Sequence, residues 1–318
     1  MKKLKKLVLE KIDNNYNKYL INFFKNNFQE NLISYIDIGA AEYLSKRWKK
    51  INKYVAYYGF EPDERSHTFL KDNYSLKDNN FIYSYGLWSF DGLIEINLCK
   101  EPKVSSFFEP NSSIVNLFPS SERFKIVSKD KVKVKKFDST NINVKDFVKL
   151  DIQGGELEVL KGSENSMPEI MAMEIEVEFV ELYKNQPLFN DIQQYLRLNN
   201  FEFIDFISLN RWERNQYNGF GQLIFADALF MKMPEYLIKN NFDEKKLKKY
   251  LGICILYNKY DLGFKLINLY YQKYKKNLID INIFKKMNKK YNNKLKYKSL
   301  FNKLIRILRP GTTNHLLD

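Results

Sequence analysis

"YIDIGAAEYLSKRW", residues 35–48, runs from an apolar stretch into an acid, Asp37, and on to Gly39, Ala40 and Ala41. It reads as a buried strand turning into a helix over "EYLSKRWKKI". In an open α/β sheet, ligands bind just beyond the carboxyl ends of the strands. Gly39 would let the backbone approach a ligand closely, and the two alanines would leave room for it. The stretch departs from the dinucleotide pattern G-x-G-x-x-G, because Glu42 and Tyr43 stand where further small residues are usual. Alone, it suits plain packing as well as a cofactor turn.

Its surroundings decide between these. "KYVAYYGFEPD" is a second strand ending in acids, "DERSHTFLKDNY" a helix and "NFIYSYGLWS" a third strand. This βαβαβ rhythm argues a parallel, doubly wound sheet. The rhythm breaks over residues 91–137, where "GLIEINL" and "KVKVKKF" alternate like half-exposed strands around the polar "SSFFEPNSS". That region reads as an inserted hairpin or cap. Strand "DFVKLDIQ", helix "GELEVLKGSEN", strand "EIMAMEIEVEF" and helix "LFNDIQQYLRLNN" follow, and "FEFIDFI" and "GQLIFADALFMK" look like a closing strand pair. Residues 1–30 and 234–318 are helical in pattern. The chain thus divides into an N-terminal helical segment (1–30), an α/β domain (31–233) and a C-terminal appendage with a helical hairpin hinged at "NKYD".

Composition narrows the classes. The chain has 318 residues, 44% hydrophobic and 28% charged, which suits a globular fold. No apolar run approaches the roughly 20 residues that span a bilayer. "MKKLKKLVLEKID" is cut by Glu10, Lys11 and Asp13 too early for a signal peptide. Two distant cysteines give no disulfide framework or metal spacing, and a reducing, cytoplasmic setting is expected. Two histidines argue against a histidine metal site or a serine-type triad. The net charge of +14 is uneven: residues 232–309 carry 21 Lys and Arg against 5 Asp and Glu. Such a tail suits an anionic membrane face or nucleic acid. In "YKSLFNKLIRILRP", Leu300, Phe301, Leu304, Ile307 and Leu308 share one face, as in a helix resting on anionic lipid.

Glu61 sharpens the cofactor reading. It ends the second strand 22 residues beyond Gly39, near the roughly 20 at which an acid reaches a ribose diol. "DFVKLDIQGGELEVLKG", residues 146–162, then makes the chain recognisable. It resembles the FkbM family of S-adenosylmethionine-dependent methyltransferases, whose hallmark is a K-[IL]-D-[IV]-[QE]-G-x-E-x-x-V-L-K-G run. "YIDIGAAEYLSKRW", "YYGFEPD", "SSFFEPN", "EIEVEFVELYKNQPLF" and "GQLIFADALFMK" agree with it in order, over about residues 32–232.

The resemblance implies a Rossmann-like class I methyltransferase fold, with a seven-stranded, mostly parallel sheet whose last strand is antiparallel. It implies S-adenosyl-L-methionine as cofactor. Asp37, Gly39, Ala40 and Ala41 would border its methionine part, and Glu61 would take the ribose hydroxyls with Pro62 and Asp63 nearby. Gly86, Leu87 and Trp88 would flank the adenine. Asp151 would end its strand where donor and acceptor meet, with Gln153, Glu156, Ser105 and Ser106 toward the acceptor. Glu174, Glu176 and Glu178 alternate along one strand and share a face, which is costly unless they meet partners or a wet cleft. Glu176 and Glu178, nearest the strand's carboxyl end, join Asp151 as candidates for catalysis. The expected reaction is methylation of a hydroxyl on a sugar, glycan or secondary metabolite, with no dedicated metal motif. Two other readings stand beside it: an RNA methyltransferase or RNA-binding protein using the basic tail, and a non-catalytic binding protein on this fold.

Overall fold

The strands form where apolar, β-branched and aromatic residues cluster, and helices fill the intervals. In the computed structural model, residues 2–74, 79–214 and 219–308 are described. They form two compact units: residues 33–45 with 55–233, and residues 1–32, 46–54 and 234–318.

The first unit is built on β1 (Ile33–Ile38), β2 (Val55–Phe60), β3 (Asn80–Tyr83), β7 (Phe147–Leu150), β8 (Ala172–Glu178), β9 (Glu202–Trp212) and β10 (Gln222–Met231). Their order across the sheet is β3-β2-β1-β7-β8-β10-β9. The pairs β3-β2, β2-β1, β1-β7 and β7-β8 are parallel, while β10 runs antiparallel to both β8 and β9. This is the fold the sequence implies, closing hairpin included. β1 and β8 are buried throughout, as central strands covered on both faces must be. Helices α3 (Glu64–Tyr74), α5 (Glu156–Lys161) and α6 (Phe189–Leu198) connect the strands, and α4 (Ser112–Val115) is a single turn. The main core joins Ile36, Phe60, Leu150, Ile175, Leu196 and Phe230 with their neighbours.

The insertion is a second sheet of order β4-β6-β5, from Gly86–Leu87 (β4), Gly92–Cys99 (β5) and Ile126–Lys135 (β6). β5 and β6 are the antiparallel hairpin expected over 91–137. "NFIYSYGLWS" proves to be two strands, since the chain leaves the main sheet after Tyr83 and pairs Gly86 and Leu87 with β6.

Register fixes what lines the site. Tyr35 lies between Tyr57 and Phe147, and all three rings stack. Two residues on, Gly59, Asp37, Lys149 and Glu174 form the next row. The residues that follow the paired ends are Glu61, Gly39, Asp151 and Glu176. One face of the sheet therefore passes from aromatic to ionic toward its carboxyl edge.

The helical unit holds α1 (Lys2–Phe28), α2 (Lys46–Lys49), α7 (Pro234–Lys239), α8 (Glu244–Leu256), α9 (Tyr260–Tyr274) and α10 (Ile281–Leu308). α1 packs against α8 and α10, so residues 1–30 and 234–318 form one body where the sequence suggested two. The Tyr16 and Tyr260 hydroxyls share a 2.9 Å hydrogen bond, and Phe23, Phe24 and Phe28 are buried. The turn of the α8–α9 hairpin falls at Asn258, with φ 59°, as "NKYD" suggested. The side chains of Leu300, Phe301, Leu304, Ile307 and Leu308 lie outside the described residues.

A further correction concerns "EYLSKRWKKI". Only Lys46–Lys49 is helical. Tyr43 turns inward instead, its ring stacked on Tyr74 at 4.2 Å and its hydroxyl donating to Asn80 Oδ1. Trp48 is fully buried in the helical unit, where its Nε1 donates to the Tyr257 hydroxyl at 3.1 Å. Two anchors this close in sequence but in separate packing environments leave room for one turn. Among the described residues, no helix is long and apolar enough to cross a membrane.

Candidate active site

A cavity of about 490 Å³ opens beyond the carboxyl ends of β1, β2, β7 and β8. Eight Asp and Glu residues line it among the described residues, against Lys103, Arg123 and Lys149 as its Lys and Arg. Of the residues expected at the cofactor, Asp37, Gly39, Ala41, Glu61, Pro62, Asp63, Gly86 and Leu87 border it. Ala40 and Trp88 do not.

Asp37 is 3% exposed, and the Tyr57 hydroxyl donates to its Oδ2 at 3.0 Å. Its Oδ1 meets no hydrogen-bond partner among the described residues. Burial raises its carboxyl to about 7, against the pull of Lys149 and Tyr57. Glu61 is 7% exposed, and its Oε1 accepts from the Asp63 backbone N–H at 2.7 Å. Burial raises its carboxyl to about 8. Both are costly in an empty cleft and fit a ligand that supplies hydroxyl or ammonium donors. Asp63 is clamped by Arg65, whose Nε donates to its Oδ1 at 2.9 Å and whose Nη1 donates to the Cys99 carbonyl. Arg65 escaped the sequence reading; its only signal was its place just after "EPD".

The role expected of Gly39 changes. Its φ is +82°, and a Cβ there would lie 1.8 Å from the Asp151 carbonyl oxygen. The glycine admits the neighbouring strand's own backbone while it borders the cavity. Trp88 likewise belongs to packing: it is 6% exposed and its ring meets Phe107 and Phe108. A Cβ at Gly155 would strike that ring at 2.4 Å, so "QGGELEVLKG" is partly a mould around an indole.

Of the residues expected to act in catalysis or toward the acceptor, Asp151, Gln153, Glu176 and Ser105 line the cavity. Gln153 organises them from a left-handed φ of 61°, a strained conformation that surrounding bonds must hold. Its Nε2 donates to Asp151 Oδ1 at 3.0 Å and to Glu176 Oε2 at 2.6 Å. Its Oε1 accepts from the Tyr183 hydroxyl, and its carbonyl accepts from Ser106 Oγ at 2.7 Å. Ser106 therefore anchors the loop. Glu156 also lies off the cavity, its Oε1 closing the turn by accepting from the Ile152 N–H at 2.9 Å. Glu178 is buried and does not line the cavity.

Lys149 is the residue whose importance the sequence hid. Its Nζ pairs with Asp151 Oδ2 at 3.0 Å. Burial opposes its charge, but Asp151 and Asp37 outweigh burial and hold the ammonium above its usual range. Burial opposes the charge of Asp151 as well; Lys149, with hydrogen bonds from Lys149 and Gln153, nevertheless holds that carboxyl below the ordinary range. Glu176 has the opposite fate, raised well above that range by burial and by Asp151. The two neighbours are thus pushed in opposite directions, Asp151 toward its ionised form and Glu176 toward its protonated form. Asp227, opposite Glu176 on β10, also lines the cavity, as do Trp212 and Phe225. Glu42 points outward, 69% exposed, and forms an ion pair with Lys103 of the insertion. Among the described residues, no group of His, Cys, Asp or Glu side chains is arranged to hold a metal ion.

Residues 35–203 match the Methyltransferase FkbM domain family. No curated protein matches the chain. Among solved structures, the methyltransferase FkbM of Methylobacillus flagellatus KT is 15% identical over 63% of this chain, with a TM-score of 0.40, and the chain spans only 43% of that protein's length. The 23S rRNA methyltransferase ErmE is 10% identical over 68% of this chain and 67% of its own, with a TM-score of 0.33. TehB from Haemophilus influenzae is 12% identical over 66% and 61%, with a TM-score of 0.30. Likenesses this distant carry no argument about substrate. With more than half its length matched to one family, the chain belongs to the FkbM methyltransferases.

Proposed function

We propose that the protein is an S-adenosylmethionine-dependent O-methyltransferase acting on a neutral hydroxyl acceptor of the sugar, glycan or secondary-metabolite class. The observation that carries this is the cavity in which Asp37 and Glu61 face the acceptor-side pair Asp151 and Glu176. The orphaned Oδ1 of Asp37 and the buried carboxyl of Glu61 fit the amino group and ribose hydroxyls of the cofactor. When bound, S-adenosylmethionine supplies a methyl group made electrophilic by a positive sulfonium.

The chain's own residues do the rest. Glu61 accepts the ribose hydroxyls and Pro62 packs beside it. Holding two reactants in line contributes on the order of 7–11 kcal/mol to such reactions. Asp151 is the base, since Lys149 and Gln153 keep it ionised, and a base must be deprotonated to accept the acceptor's hydroxyl proton. Glu176, held by Gln153 Nε2 beside Asp151, orients the acceptor hydroxyl. Trp212 and Phe225 offer apolar faces for a sugar ring.

The net charge of the helical unit favours a second reading, RNA as acceptor. The acid-rich lining of the cavity opposes it, because a phosphate backbone would meet like charge there. Calorimetry with S-adenosylmethionine tests the cofactor assignment: micromolar binding lost in Glu61→Ala supports it, and no binding by the intact chain overturns it. A mass-resolved screen of neutral glycosides against RNA then separates the acceptors.

A further inference from the structure

The helical unit contains a second, separate cleft of about 240 Å³. Its floor is apolar and aromatic, with Leu20, Tyr16 and Tyr291, and its rim carries Lys46, Arg47, Lys50 and Lys294. These cations come from α2 and the residue that follows it, and from α10, which lie far apart in sequence. No acidic residue among the described residues lines the cleft. Asp13 of α1 pairs with Lys294 at 2.5 Å, which fixes one cation of the rim in place. Arg47 is held in place: its Nη1 donates to the Leu256 carbonyl at 3.2 Å, and its guanidinium lies 4.2 Å above the Tyr257 ring. Its other N–H groups remain to serve a planar or tetrahedral oxyanion.

The charge of the whole unit points the same way. Residues 1–32, 46–54 and 234–318 hold 32 Lys and Arg against 9 Asp and Glu, while the other unit holds 20 against 29. A solvated basic face needs no concave, aromatic floor. Convergence of four cations on an aromatic-floored cleft is what a phosphoryl group attached to an apolar or ring-bearing body requires.

We infer that this cleft is an anion site for a phosphate or diphosphate group, carried either by a lipid headgroup or by a soluble phosphate compound. The test uses the full chain, with pyrophosphate followed by calorimetry, and vesicles of phosphatidylcholine with or without phosphatidylglycerol followed by co-sedimentation. The double variant Lys46→Gln/Arg47→Gln should weaken binding about tenfold or more, since a hydrogen bond to a charged group contributes about 1.5–3 kcal/mol. The control Lys285→Gln/Lys286→Gln removes the same charge from the same unit outside the cleft and should leave binding nearly unchanged. Loss confined to anionic vesicles identifies a lipid headgroup; loss confined to pyrophosphate identifies a soluble phosphate. Equal losses in both variants, or no binding of either probe, overturn the inference. Because Arg47 also braces Leu256, the single Lys46→Glu change on an exposed side chain keeps the test decisive should the double variant fail to fold.

Discussion

At the scale of single residues, the site is a set of carboxyls whose ionisation is set by position. Glu61 is raised to about 8, so the folded chain holds its proton more tightly than the unfolded chain does. That preference contributes stability below the ordinary carboxylate range, and the contribution is lost as the pH climbs through about 8. Glu61→Gln, which cannot ionise, should therefore melt higher than the parent at about pH 9, with the advantage shrinking toward about pH 5 in thermal unfolding scans. The same variant should bind S-adenosylmethionine more weakly, a separation of stability from function typical of ligand sites. Asp151 is the converse, held low with Lys149 as the principal cause after its burial is overcome. Removing the ammonium in Lys149→Met should move the acidic limb of the methyl-transfer pH profile upward by about one unit or more; an unmoved limb would exclude Asp151 as the base. Gly39 is required by the backbone packed against it. Gly39→Ala must relieve both a φ of +82° and a 1.8 Å approach to the Asp151 carbonyl, and should cost at least about 2 kcal/mol in denaturant unfolding.

At the scale of elements, the pattern made the strands legible because the central ones are rich in apolar residues, buried throughout and bounded by acids and glycines. "YIDIGA", "GFEPD" and "KLDIQGG" all sit where the carboxyl edge of a parallel sheet demands a turn. The helix expected after Asp37 was not legible in its true form. Helical spacing cannot reveal that Tyr43 stacks on Tyr74 while Trp48 donates to Tyr257; those partners lie 31 and 209 residues away. Trp48→Ala should therefore destabilise the helical unit by about 3–5 kcal/mol, read by urea unfolding, although Trp48 sits on a helix of one turn. Trp88 misled in the other direction. The resemblance implied an adenine contact, whereas the ring is packed against Gly155 and does not line the cavity.

For the whole molecule, charge is the property that tertiary structure redistributes. In the sequence, a nearly neutral body precedes a basic tail. In the fold, α1 and residues 46–54, with five Lys and Arg and no acids in that short segment, join the tail, and the other unit is left acidic on balance. RNA added to the full chain should accordingly be retained with a steep salt dependence yet acquire no methyl label if the acid-lined cavity is the site proposed above; labelled RNA would overturn the neutral-acceptor proposal. The sequence by itself determined the sheet, its antiparallel closing strand and the family, since each rests on local pattern and short spacing. Only the tertiary structure decided that Lys149 divides Asp151 from Glu176, that Glu156 and Ser106 brace loops instead of lining the cavity, and that two terminal segments make one basic body. Those outcomes depend on register across strands and on contacts between residues distant in the chain, and neither is written in the periodicity of any one segment.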